Sequence, residues 1–148
     1  MKDASHLIRK EIYDALNGNV TLNSATLPVY NVVPNNGNYP YIYIYSLSND
    51  EADVNKDKYN ANVITRVEVV TAFATGTGGQ LDCNIAMNQI SQLLVDKSSF
   101  FDLSSNNFNV YAAWNNGINY ITDYTRIRTL YMDILEFIWC TVEEIWRN

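Results

Sequence analysis

The sequence predicts an α+β domain in which two amphipathic helices pack on one face of an antiparallel β-sheet. Two segments carry apolar residues at three- and four-residue spacing. Several others are dense in β-branched and aromatic residues, and helices and strands come in blocks in the order α-β-β-α-β-β-β. The chain has 148 residues, 47% hydrophobic and 18% charged, which is enough to bury one core without disulfides or metal. One domain over residues 1 to 148 is the expectation.

The first helix is expected over residues 3 to 17. Ile8, Ile12, Ala15 and Leu16 share a face there, while Arg9, Lys10, Glu11 and Asp14 lie elsewhere. Asp3 or Ser5 can cap its start, and Gly18 supplies a left-handed stop. Residues 27 to 39 then read as a short extended piece, ended by the turn formers Pro34, Asn35, Asn36 and Gly37. Pro40 opens a strong strand, Tyr41-Ile42-Tyr43-Ile44-Tyr45.

Residues 46 to 60 are polar and lack either period, which predicts a long mobile loop ordered by a partner. From 63 to 74 the chain alternates, with Thr65, Val67, Val69, Thr71 and Phe73 on one side and Arg66 and Glu68 among those on the other. Gly76, Gly78 and Gly79 break that strand, and Thr77 with Gln80 has the form of a capping box. A second helix follows to about Val95, its stripe formed by Cys83, Ala86, Met87, Ile90, Leu93 and Leu94.

Residues 108 to 114 read as a strand, Asn115-Asn116-Gly117 as a tight hairpin turn, and 118 to 124 as the returning strand. Residues 126 to 141 carry Leu130, Ile134 and Ile138 at helical spacing. Their density of Ile, Tyr, Phe, Trp and Thr favours a strand instead. Residues 142 to 148 form a C-terminal contact tail in which Ile145 and Trp146 can reach a neighbour.

A net charge of −6 opposes a surface that grips a phosphate backbone, since such surfaces concentrate Lys and Arg. Cys83 and Cys140 are not in metal or redox spacing and read as small buried hydrophobes. The glycines before the second helix follow neither phosphate-loop pattern and are followed by no Lys, so a helix-start turn explains them. His6 is the single histidine and reads as a solvated helix residue, which leaves no base for a nucleophile. Asp50, Glu51, Asp53 and Asp57 lack the central Gly and closing Glu of a calcium loop. No catalytic, cofactor-binding or metal-ligating residue is assigned, and no enzyme activity or cofactor is expected.

The strands carry the outward clue. Tyr41, Tyr43 and Tyr45 alternate with Ile42 and Ile44, and Tyr131, Leu135, Phe137 and Trp139 alternate with Leu130, Met132 and Ile134. Both faces of the sheet therefore want cover, and two helices shield one. Self-association through Tyr41, Tyr43, Tyr45, Ile145 and Trp146 is the expectation. An ordinary half-wet tyrosine face is the plainer reading, and a small cytoplasmic module that binds a protein through that face is the alternative function.

Several segments together resemble the phage tail-completion family, which includes tail terminator and tail-to-head joining proteins. They are the helix Leu7 to Leu16, Val29-Tyr30-Asn31-Val32-Val33-Pro34, the strand start Pro40-Tyr41-Ile42, the strand Val67 to Phe73 with its Gly-rich turn, and the closing strand from Thr129 to Cys140. The polar insert at 46 to 60 and the acidic aromatic end depart from the family pattern. The resemblance implies a non-enzymatic virion protein of the neck or tail, made in the bacterial cytoplasm. It also implies a homo-oligomeric ring of six or twelve copies that docks on other neck, tail or portal-associated proteins. DNA would pass through the lumen without specific binding, consistent with a negative wall, and no membrane is involved.

Overall fold

Residues 3 to 34, 38 to 54, 58 to 95 and 101 to 144 are described by a computed structural model. The element order is α1 (Ser5–Leu16), β1 (Thr21–Leu22), β2 (Ala25–Thr26), β3 (Val29–Tyr30), β4 (Tyr41–Val54), β5 (Lys58–Ala74), α2 (Leu81–Val95), β6 (Phe108–Tyr124) and β7 (Arg128–Glu144). Strands β3-β4-β5-β7-β6 form a five-stranded sheet, antiparallel except for β3 against β4. The α+β class with two helices on a mainly antiparallel sheet is the predicted one.

Helix α1 buries Ile8, Ile12 and Leu16, the stripe that its sequence spacing places on one face. Asp3 accepts the Ser5 backbone N–H at 2.8 Å, and Gly18 takes a φ of 79° just beyond the last turn. Helix α2 buries Cys83, Ala86, Met87, Ile90 and Leu94. The capping box does not form. Thr77 donates its hydroxyl to Ala74 O at 2.7 Å, and Gln80 opens the helix through its backbone carbonyl, which accepts the Asn84 N–H at 2.9 Å.

Both helices lie on one side of the sheet. They meet Ile42 and Ile44 of β4, Val63, Val67 and Val69 of β5, and Leu135, Phe137 and Trp139 of β7 in one core. At its centre the Trp139 ring stacks between Phe101 and Phe137, each with a centroid distance of 4.7 Å, and its indole N–H donates to Thr65 Oγ1 at 2.9 Å. Trp139 brings the largest side chain to that core and still has a partner for its one polar atom.

Two segments of the sheet differ from the sequence expectation. The expected loop at 46 to 60 is strand over its described residues, 46 to 54 and 58 to 60: β4 runs on to Val54, β5 starts at Lys58, and the two pair from Tyr41↔Val70 to Val54↔Tyr59. Register shifts at Ser46/Ser48 and Glu51/Asp53 absorb the extra residues as bulges. A polar strand with no apolar period carries no sequence signal of its own. Contacts with the start of the chain hold it, through Arg9 to Ser46 Oγ at 2.9 Å and Asn49 to Asp3 Oδ1 at 2.8 Å.

Asn115-Asn116-Gly117 is likewise not a hairpin turn, because β6 continues through it and pairs with β7 along its whole length. The tripeptide forms a bulge between Asn115 and Ile118. Gly117 has a φ of 116° there, and its N–H donates to Asn115 Oδ1 at 2.7 Å. The reversal falls at Thr125, whose hydroxyl and N–H close on Arg128 O at 2.6 and 2.9 Å. The expected strand at 126 to 141 is observed as β7, which begins at Arg128 and runs on to Glu144, so residues 142 to 144 of the expected contact tail are strand held by pairing with β5 and the rest of that tail lies outside the described residues.

Residues 27 to 39 contribute two residues of strand, Val29 and Tyr30, paired parallel with Ile42 and Tyr43. The sequence also hid a small hairpin, β1 with β2, turning on Asn23 and Ser24 at φ 52° and 68°. Gln89 of α2 clamps it, accepting the Thr21 N–H at 2.9 Å and donating to Thr21 O at 2.7 Å.

Gly78 sits in the left-handed region at φ 85°, and a Cβ there would lie 2.3 Å from the Phe73 ring, whereas Gly79 faces open space. Gly78→Ala should therefore lower stability by about 1 to 3 kcal/mol in urea unfolding. Gly79→Ala should change it by less than about 0.5 kcal/mol.

Candidate functional site

The pleat that buries Val67, Val69, Leu135 and Phe137 under the helices sends their even-numbered neighbours to the opposite face of the sheet. Cross-strand pairing places there Tyr41 beside Val70, Tyr43 beside Glu68, Tyr45 beside Arg66, Met132 beside Ile121, and Ile138 beside Trp114. Among the described residues no helix packs on this face, and of these side chains Val70 alone is fully buried. Tyr41, Tyr43 and Tyr45, the site residues expected from sequence, are thus brought together on it. Ile145 and Trp146 lie outside the described residues.

The tyrosines shield one another. Tyr39 and Tyr41 have ring centroids 5.2 Å apart, Tyr43 and Tyr45 5.0 Å, and Tyr30 meets Tyr41 edge-on at 6.0 Å. A polar strip crosses the middle of the face. Tyr45 donates its hydroxyl to Glu68 at 2.9 Å, Arg66 pairs with Glu136 at 3.1 Å, and Asn116 donates to the other Glu136 oxygen at 2.6 Å. Partial burial pushes the Tyr45 phenol up, and hydrogen bonds to Tyr45 and Glu136 hold the Arg66 guanidinium above its usual range. Apolar ends around an ordered polar strip give the face the make-up of a protein-contact surface rather than of a catalytic cleft.

Exposed large side chains also gather along β6, where Tyr111, Trp114, Tyr120, Ile121 and Tyr124 are all exposed and Trp114, 46% exposed, lies on the tyrosine face. Of the other tryptophans, Trp139 is core and Trp146 lies outside the described residues.

The nearest thing to a chemical cluster sits under α2. The Cys83 thiol donates to Tyr131 O at 3.1 Å and lies 3.3 Å from Thr71 Oγ1. Asp133, 1% exposed, points neither carboxylate oxygen at a hydrogen-bonding partner among the described residues. Burial pushes the Asp133 carboxyl up to about 6. Burial first, helped by the Asp133 charge, pushes the Cys83 thiol up to about 11. A thiol held that high is protonated at neutral pH, the state of a packed side chain rather than of an activated nucleophile.

Other candidates from the sequence behave similarly. His6 is exposed on α1. The hollow beside Gly78 and Gly79 also has Asp82 on its wall, in the first turn of α2, and a carboxylate there opposes a phosphate. Asp50 is exposed, the side chains of Glu51 and Asp53 and all of Asp57 fall outside the described residues, and no acidic or Cys/His cluster able to hold a metal occurs among the described ones. A cleft of about 540 Å³ opens between the β1–β2 hairpin and the end of β5. Leu22, Pro28, Tyr30, Tyr39 and Phe73 line it, with Asp82 as its charged group. No described helix is long and apolar enough to cross a membrane.

Comparison of the chain with protein-family models gives no match, and comparison with curated proteins gives no significant one.

The buried Asp133 makes stability depend on pH in a defined sense. Its folded value, near 6, lies above the ordinary 3.8, so the folded state binds the extra proton between those values. Stability from this group is therefore full below about pH 4 and is lost as pH rises through about 6. Asp133→Asn should flatten that fall and gain about 2 kcal/mol relative to wild type between pH 4 and pH 7, read from urea midpoints at both pH values.

Proposed function

We propose that this chain is a structural, non-enzymatic subunit that works by assembling with copies of itself, as a ring component of a phage neck or tail. The observation that carries the reading is the one-sided cover of the sheet. Both helices pack on one face, and the opposite face presents tyrosines, Met132, Ile138 and Trp114 around an ordered polar strip. A surface of that make-up is stabilised by excluding water against another protein. The likeness to tail-completion proteins and the acidic balance support the placement in a ring around passing DNA, and the buried, protonated Cys83 supports a role without chemistry.

In this reading the partners are sister subunits and the adjacent neck, tail or portal-associated proteins. Modest contacts repeated around a closed ring add up, while each subunit stays soluble alone. Negative-stain images with native mass spectrometry test it directly. Closed rings of one mass are expected, and Tyr43→Glu, which puts a second carboxylate beside Glu68, should shift the population to single chains while the melting temperature stays within a few degrees. A wild-type mass equal to one chain, with no rings on the grid, overturns the assembly reading.

A further inference from the structure

Strand β6 is the last strand of the sheet, with β7 on one side and no strand on the other among the described residues. Its outer half, from Ile118 to Tyr124, pairs with β7 without a bulge. Large side chains there stand in water on both faces: Tyr120 is 61% exposed, Ile121 41% and Tyr124 75%. Natural edges are blunted by Lys, Pro, charge or bulges. The other long edge follows that rule, because β4 carries two bulges and a run of acidic residues. The outer half of β6 has no Pro or Lys, no bulge, and one charge, Asp123.

The sequence of this half-strand, Ile118-Asn119-Tyr120-Ile121-Thr122-Asp123-Tyr124, is complementary to itself when reversed. Centred on Ile121, an antiparallel pairing sets Ile121 against Ile121, Asn119 against Asp123 twice, Tyr120 against Thr122 twice and Ile118 against Tyr124 twice. Every pair is apolar with apolar, aromatic with β-branched, or amide donor with carboxylate acceptor, the combinations that stabilise cross-strand neighbours. Moving the centre to Asp123 opposes two carboxylates, moving it to Tyr120 sets Asp123 against Gly117, and registers that reach Asn115 or Asn116 run into the bulge. Centring it on Thr122 sets the Asp123 carboxylate against the apolar Ile121, so among bulge-free registers the Ile121 centre is the one that gives the single charge an amide partner.

We propose that two copies of this chain join by antiparallel pairing of β6 with β6 about a two-fold axis at Ile121, making one continuous sheet with both pairs of helices on the same side. Backbone groups of the free edge supply the hydrogen bonds, and the Asn119 amide and Asp123 carboxylate of opposite copies fix the alignment. The contact uses the strand edge rather than the tyrosine face, so it stands whether or not the chain forms rings.

Cysteine crosslinking reads the register. Cys83 and Cys140 are both buried, which leaves an introduced thiol as the reactive one. Under mild oxidation Ile121→Cys should give a disulfide-linked dimer. Ile118→Cys alone should not, because its counterpart lies about 20 Å away along the strand. Ile118→Cys mixed with Tyr124→Cys should link. Asn119→Asp, at a solvent-facing position, should raise the dissociation constant of the dimer roughly tenfold in analytical ultracentrifugation, since symmetry applies the like-charge cost twice. Its unchanged melting temperature and circular dichroism would show that the fold survives. Absence of an Ile121→Cys crosslink overturns the contact, and a crosslink in Ile118→Cys alone overturns the register. Rings without that crosslink sink the edge contact and leave the proposed function standing; crosslinked dimers without rings do the reverse.

Discussion

The structure depends on the unbroken register between β5 and β7, which runs from Lys58↔Glu144 to Ala74↔Arg128 without a bulge. Because side chains alternate strictly along a strand, this one alignment decides that Val63, Val67, Val69, Leu135, Phe137 and Trp139 all face the same way. A slip of one residue would turn that set into water and bring Arg66, Glu68 and Glu136 under the helices. The Trp139 indole bond to Thr65 helps lock the register, since a one-residue slip of either strand would turn its member of the pair away and leave the other buried and unpaired.

From that alignment the rest follows. Helices α1 and α2 need an apolar floor and find it on the face that carries the odd-numbered residues of β5 and β7 and the even-numbered Ile42 and Ile44 of β4, with α1 over β4 and α2 over β5 and β7. Asp133 shares that face with Val69 opposite it, and it is carried into the interior by strand geometry rather than by any partner of its own. Its raised carboxyl and the raised Cys83 thiol are consequences of the same burial, so the polar cluster under α2 is a cost of the register and not a reaction centre. The even-numbered residues of β5 and β7 have the complementary fate. With the odd-numbered tyrosines of β4 they form a half-wet face of mutually packed rings and a salt-bridged strip.

The two surfaces proposed for assembly differ in their physics. A contact on the tyrosine face would gain by removing apolar area from water and would tolerate small shifts of a partner. A contact along the β6 edge would gain by satisfying backbone groups and would tolerate none, because each step along a strand changes every opposed pair.

The sequence by itself determined the elements whose burial is one-sided and periodic. Ile8, Ile12 and Leu16 announced α1, the stripe from Cys83 to Leu94 announced α2, and the alternation through Thr65, Val67 and Val69 announced β5. β-Branched and aromatic density resolved β7 as a strand although Leu130, Ile134 and Ile138 are spaced like a helix. Tertiary structure alone decided three other things. The polar arm from 46 to 54 became strand because β5 was there to pair with it. Asn115-Asn116-Gly117 became a bulge because β7 was long enough to hold β6 on both sides of it. Asn23-Ser24 turned a hairpin that Gln89 of α2, far off in sequence, clamps in place. In each case the local residues allow more than one conformation, and the choice belongs to a partner strand or helix that local sequence cannot see.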